Sequence, residues 1–324
     1  MLMKTFRLTF LTMAALTLTA CHDDGPVVVD LAAVVSGTQK QQATTRATGT
    51  DAELQVTQFV EGMGIQIECY DHTANPNDAS DHTGCVAYDN STGVYTTGTL
   101  SGSYVPLSGT VYYPASGHPV DIRAYYPATV TSATTVFPAT GDITAQTTLA
   151  AYQGFDLMYA TPHYNLTKGE THLLTFHHAM AQIIVNISPG VGVTAEDIST
   201  YVTAVTVNNT VPVATLTNTA GVITAEKKAG EAVADISIFG TGDKSVGLIV
   251  PQTVAKGSPF ITVTYAGNSY TYSLPDGESD DDKTFTGGYK YIYTFTMRAA
   301  ELLLESERIV DWSTGEEVTH TFVI

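Results

Sequence analysis

A chain of 324 residues with 32 acidic and 14 basic side chains, a net charge of −18, repels nucleic acid and anionic membranes. Only 14% of its residues are charged, while Thr, Val, Ala, Gly and Tyr dominate, a bias toward β-branched and aromatic side chains that favours strands. The composition therefore predicts an all-β protein, and the length accommodates two medium domains.

The first 46 residues read as an address and a leader rather than as part of the mature fold. Lys4 and Arg7 precede an apolar run from Leu8 to Leu18, the arrangement of a secretory signal and too short to span a bilayer. Leu18-Thr19-Ala20-Cys21 follows, small residues ahead of a cysteine, as in a lipoprotein signal occupying residues 1–20. Cys21 would then carry the acyl chains, a lipid anchor to the outer membrane that needs no spanning helix. An acidic pair, Asp23-Asp24, resembles the signal that passes some lipoproteins to the cell exterior. Residues 21–46 form the predicted leader: Val27-Val28-Val29 and Leu31 to Val35 can form a strand, and a polar linker follows. In that linker Arg46, followed by Ala47, has no other arginine after it until Arg123. An isolated arginine in such a segment is open to an Arg-specific protease, although any linker can hold one by chance.

Beyond the leader, period-two alternation broken by turns recurs along the chain. Gly64 to Tyr70 places Ile65, Ile67 and Cys69 on one face and Gln66 and Glu68 on the other, a half-buried strand. Val120 to Tyr126 alternates likewise and stops at Pro127, which donates no ladder hydrogen bond. Gln182 to Ile187 ends at Ser188-Pro189-Gly190, the expected boundary between sandwiches at 47–188 and 189–324. Gly267-Asn268 separates two alternating runs as a tight hairpin. Tyr289, Tyr291, Tyr293, Phe295 and Met297 share one face, expected to lie in the core. Short helical turns are expected at Ala145 to Tyr152 and at Ala299 to Glu305.

Several of these segments, in this order, resemble the fimbrillin family, the lipoprotein subunits of type V pili. The resemblance rests on the leader with Arg46, Gly62 to Ile67, Ala124-Tyr125-Tyr126-Pro127, Asp156 to Ala160, Phe176 to Ile183, Val250-Pro251-Gln252, Tyr289 to Phe295, and Ile309-Val310-Asp311-Trp312. Each motif is weak alone, but their collinear order spans nearly the whole chain. The resemblance implies two tandem transthyretin-like β-sandwiches after the signal and leader, trimming at Arg46 by a trypsin-like protease, and joining to other pilus subunits by strand exchange. Loss of the leader strand would leave a groove for a neighbour's strand, with backbone hydrogen bonds supplying attraction and alternating side chains supplying register. The C-terminal tail is the candidate donor, with Val318, His320, Phe322 and Ile324 on one face. Alternatively the tail is the last strand of its own sheet. A monomeric surface lipoprotein that binds host glycans or proteins is the second functional expectation.

Other constellations stay open or carry little. Cys69, His72, His82 and Cys85 are a possible tetrahedral zinc set, but in an oxidising exterior Cys69 and Cys85 equally suit a disulfide, and they could also remain thiols. A disulfide would close a 17-residue loop, worth on the order of 3 kcal/mol. Glu278 with Asp280, Asp281 and Asp282 reads as a solvated hairpin tip or a Ca²⁺ site. A strand sends His177 and His178 to opposite faces, so they cannot act together on one atom. Trp312 is expected to pack at the edge of the core, with sugar stacking as the alternative. No phosphate loop, nucleophile elbow, HExxH or CxxC motif occurs, so neither enzyme activity, a cofactor nor a metal is expected.

Overall fold

The computed structural model describes residues 29, 31–36, 64–72, 86–87, 94–100, 105–108, 113, 117–275, 282–299, 301–314 and 317–318. The first set of strands is β1 (Leu31–Val35), β2 (Gly64–Asp71), β3 (Val86–Ala87), β4 (Val94–Leu100), β5 (Val105–Ser108) and β6 (Val120–Tyr126). After β7 (Val136–Phe137) and a short helix α1 (Leu149–Gly154), it is completed by β8 (Met158–Ala160), β9 (His163–Leu166) and β10 (His172–His178).

These strands, β7 excepted, form one sheet that closes on itself. Its order is β2-β4-β5-β1-β10-β8-β6, and β6 pairs back onto β2; β3 and β9 extend the β2 and β6 ladders. Ile65, Ile67, Cys69, Val120, Ile122, Ala124, Leu174 and Phe176 fill the barrel. The outer face of β2 is covered as well, contrary to the half-buried expectation. Glu68 is fully buried and accepts hydrogen bonds from the Ser132 backbone N–H at 2.6 Å and the Tyr70 hydroxyl at 2.9 Å. The loop after β6 folds back over that face, which no pattern within β2 could show.

The second set begins with β11 (Ala181–Pro189), helix α2 (Ala195–Tyr201), β12 (Val202–Thr210), β13 (Ala214–Thr219), β14 (Val222–Lys227), β15 (Ala234–Ser237) and β16 (Lys244–Ile249). It continues through β17 (Gln252–Val254), β18 (Pro259–Tyr265), β19 (Asn268–Ser273), β20 (Lys283–Phe285), β21 (Tyr289–Arg298), β22 (Glu301–Asp311) and β23 (Glu317–Val318). The sheets β16-β11-β21-β22-β23 and β15-β12-β18-β19 enclose the second core, and β14-β13-β7 and β17-β20 complete it. Tyr291, Tyr293, Phe295 and Met297 are buried there, as their shared face requires. No helix among the described residues is long and apolar enough to cross a membrane.

The changeover between cores lies earlier than the 188/189 boundary. Ser188-Pro189 does end β11, but that strand pairs with β16 and β21 and sends Ile183, Val185 and Ile187 into the second core. The second core also takes Val130, Phe137, Ile143, Tyr152 and Leu157 from the earlier half of the chain, with Phe137 paired to Ala214. Tyr125 and Tyr126 on β6 divide between the cores because neighbouring strand residues face opposite ways.

Local signals fared unevenly. Helix α1 starts after its Thr148 cap, inside the predicted segment. Helix α2 is additional to the expected helical turns, and Thr194 and Asp197 form a capping box that marks its start. The helix expected at Ala299 to Glu305 is instead strand β22, antiparallel to β21 from Tyr289↔Asp311 to Arg298↔Glu301. The hairpin with β21 overrides the helix preference of its leucines. In the β18–β19 hairpin, Ala266 and Gly267 hold the positive φ angles, one residue earlier than expected.

Candidate functional site: the leader strand and its groove

The leader strand occupies a place in the first barrel. Strand β1 runs parallel to β10, from Leu31↔His172 to Val35↔Phe176, and antiparallel to β5 at Ala32↔Pro106 and Ala33↔Val105. The barrel is therefore closed by residues that precede Arg46. Val29, Leu31, Ala33 and Val35 are each no more than 4% exposed and enter the same core as Leu174 and Phe176. Burying Leu31, Val29 and Val35 contributes roughly 1.5–3 kcal/mol each before ordering costs.

The end of this strand also touches the second domain. The Ser36 N–H donates to the Phe176 carbonyl at 2.8 Å, and the Ser36 hydroxyl donates to Ser313 Oγ at 3.1 Å. Ser313 follows the Asp311-Trp312 pair, whose turn is held by the Ser313 and Thr314 N–H groups on Asp311 Oδ1, both at 2.8 Å. Trp312 donates its backbone N–H to the Gly288 carbonyl and is only 3% exposed. Its indole stacks on the His178 ring with centroids 3.6 Å apart, and His178 Nδ1 meets Asp156 Oδ1 at 2.7 Å. The burial leaves no open indole face for a sugar. His178 Nε2 is buried with no partner among the described residues, and the hydrogen bond to Asp156 orients the ring against Trp312.

Lys290 lies over Trp312, 5.5 Å from the ring centroid. Burial lowers its ammonium from the ordinary lysine value to about 8, while nearby Asp156 works in the opposite direction. Because the folded pKa is depressed, the destabilisation is full below about pH 8 and is relieved as pH rises toward the ordinary lysine range. Lys290→Met is expected to raise stability at neutral pH by about 2 kcal/mol and to flatten the rise between about pH 8 and 10. Thermal melts of both proteins across that range check this.

The remaining candidates fall as follows. Cys21, Arg46, Ala47, His82, Cys85, Glu278, Asp280, Asp281, His320, Phe322 and Ile324 lie outside the described residues. Cys69 is buried in the first barrel. His72, weighed as a zinc ligand, meets Asp121 Oδ1 through Nδ1 at 2.9 Å, and no group of metal-ligating side chains gathers among the described residues. Asp282 accepts the Lys256 backbone N–H at 3.0 Å. In β23, Val318 pairs with Ile309 and Glu317 with Val310, so the tail begins along its own sheet, where Arg308 also grips Glu317 through Nε and Nη2 at 3.1 and 2.9 Å.

The sequence marks β1 as a strand but not the tie from Ser36 to Ser313, nor the packing of His178 and Lys290 on Trp312, which only distant strand packing brings together. A cleft of about 420 Å³ opens at the same junction, bordered by Tyr159, Thr224, Glu226, Thr253 and Thr284.

A family model described as fimbrillin-like matches residues 45–312. Among solved structures, a candidate cell adhesion protein from Bacteroides uniformis is 21% identical, with a TM-score of 0.61, over 90% of this chain and 99% of that one. Another from Bacteroides ovatus is 16% identical, with a TM-score of 0.58, over 89% and 98%. No curated protein matches the chain. At these identities the structural likeness speaks to fold alone, and it agrees with the all-β sandwich architecture.

Proposed function

Because the chain belongs to the fimbrillin-like family, we propose that it is a structural or adhesive subunit of a cell-surface pilus. It is exported as a lipoprotein acylated at Cys21, trimmed after Arg46, and joined to other subunits by strand exchange. The observation that carries this reading is β1: a strand ahead of the cleavage residue completes a barrel that is otherwise open between β5 and β10. Cutting after Arg46, ten residues beyond Ser36, severs that strand covalently while its hydrogen bonds still hold it. An incoming strand can then replace it along both edges, making the same two ladders. In this reading the working partners are an Arg-specific protease, other subunits and the outer membrane, with no catalytic step and no cofactor.

Limited digestion with an Arg-specific protease, with Arg46→Ala alongside, tests the reading. Intact mass should show cleavage after Arg46, and a labelled peptide of residues 27–37 should be taken up by the trimmed protein but not by the uncut protein or by Arg46→Ala. Resistance at Arg46, or no uptake after cleavage, would sink it.

The junction cleft favours a second reading, a surface lipoprotein that binds host glycans or proteins. Its hydroxyl groups, the Tyr159 ring and the Glu226 carboxylate suit a polar, uncharged ligand. Glycan binding by the untrimmed monomer that is lost with Tyr159→Ala would favour it.

A further inference from the structure

We propose that the groove filled by β1 is sized for a strand from a different subunit and rejects this chain's own tail. The inference rests on the strand-exchange reading and adds the identity of the partner.

Four residues of the leader face the barrel core in alternation, Val29, Leu31, Ala33 and Val35. The third is the smallest and is 4% exposed, paired in register with Leu174, which is fully buried. Protein cores are close-packed, so a buried position held by alanine beside Leu174 is expected to admit a residue of alanine or serine size and no larger. The groove has an end as well, because Ser36, next along the strand, meets Ser313. The strand that fits therefore runs parallel to β10 and carries a branched apolar residue, a leucine-sized residue, a small residue and a valine-sized residue at alternate positions. A small hydroxyl residue follows.

The segment Glu317–Ile324 does not meet that pattern in any register that seats three or more of its residues. With Val318, His320, Phe322 and Ile324 facing inward, the position of Ala33 receives His320, Phe322 or Ile324. With Thr319, Thr321 and Val323 inward, the hydroxyls of Thr319 and Thr321 or the carboxylate of Glu317 fall where Leu31 or Val29 sits, or Val323 crowds the position of Ala33. Either arrangement overpacks the core or buries polar groups in apolar surroundings. The first residues of the tail also already have partners on β22. The subunit thus receives its strand from a neighbour of another sequence, and its own tail, if donated, enters a different groove.

The test uses protein trimmed after Arg46 and three labelled peptides: residues 27–37, the same peptide with Ala33→Phe, and residues 317–324. The first should bind, the second tenfold to about a hundredfold more weakly, and the third at least about a hundredfold more weakly. The trimmed protein alone should stay monomeric on an unboiled denaturing gel. Tail-peptide affinity within about threefold of the leader peptide, or a ladder from the trimmed protein alone, would overturn the proposal. If the leader peptide itself fails to bind, the strand-exchange reading falls and this inference with it. A measurement independent of cleavage is the melting temperature of the untrimmed chain. It should drop with Ala33→Phe and hold with Ala33→Ser, and an unchanged melt for Ala33→Phe would show a groove without the size limit.

Discussion

Leu31→Asp should destabilise the untrimmed chain by about 4 kcal/mol and should weaken the hold of the leader on the trimmed one. The native leucine is 4% exposed in the first core, on a strand flanked by β10 and β5. Replacing it removes roughly 1.5–3 kcal/mol of apolar burial, and the carboxylate must be either buried unpaired or brought out by freeing the strand. Val191→Asp is the control, because Val191 is 83% exposed and a surface change there should stay within about 0.5 kcal/mol. Urea unfolding followed by circular dichroism measures both. If Leu31→Asp behaves like the control, β1 is not a core strand and the proposed role of the leader is lost. If it unfolds the first barrel selectively, the leader is integral to the untrimmed subunit.

Raising the pH above about 10 should unfold the protein with a midpoint near pH 11, driven by its buried tyrosines. Tyr125, Tyr126, Tyr152 and Tyr293 are each no more than 6% exposed, and burial raises the pKa of every one of them. The unfolded chain loses those phenolic protons above its ordinary tyrosine pKa while the folded chain keeps them. Stability is therefore intact below about pH 10 and falls as pH rises beyond it. Each of the four removes about 1.4 kcal/mol at pH 11, together a large share of the 5–15 kcal/mol typical of a folded domain. Tyrosinate absorbance should appear in step with loss of circular dichroism. Tyr126→Phe should move the midpoint upward. Tyrosinate forming ahead of unfolding would show that these phenols are reached by solvent within the fold.

The leader strand illustrates how far a linear reading reaches. Leu31 to Val35 could be recognised as a strand because its β-branched and apolar residues adjoin a polar linker with a lone arginine. Its partners could not be named, because β10 begins more than a hundred residues later and pairing at that range leaves no local periodicity. The same limit explains β22. Its leucines favour a helix locally, yet β21 offers a complete ladder beside them, and strand pairing wins. The packing of β11 in the second core, on the N-terminal side of the 188/189 turn, has a related reason. Ser188-Pro189-Gly190 does stop a strand, but a turn signal does not say which sheet the strand joins.

Local chemistry suffices to mark an all-β chain, the alternation that packs Tyr291, Tyr293, Phe295 and Met297, and a candidate leader with Cys21 and Arg46. Only the packing of distant strands shows that β1 closes the first barrel, that Ala33 is buried in register with Leu174, and that Ser36 reaches Ser313. It also joined Asp156, His178, Lys290 and Trp312, residues from distant parts of the chain, at one junction. The physical reason is the range of the forces involved. Side-chain alternation is set by the backbone of a single strand, whereas groove size and junction contacts depend on which distant strands the burial of two cores brings side by side.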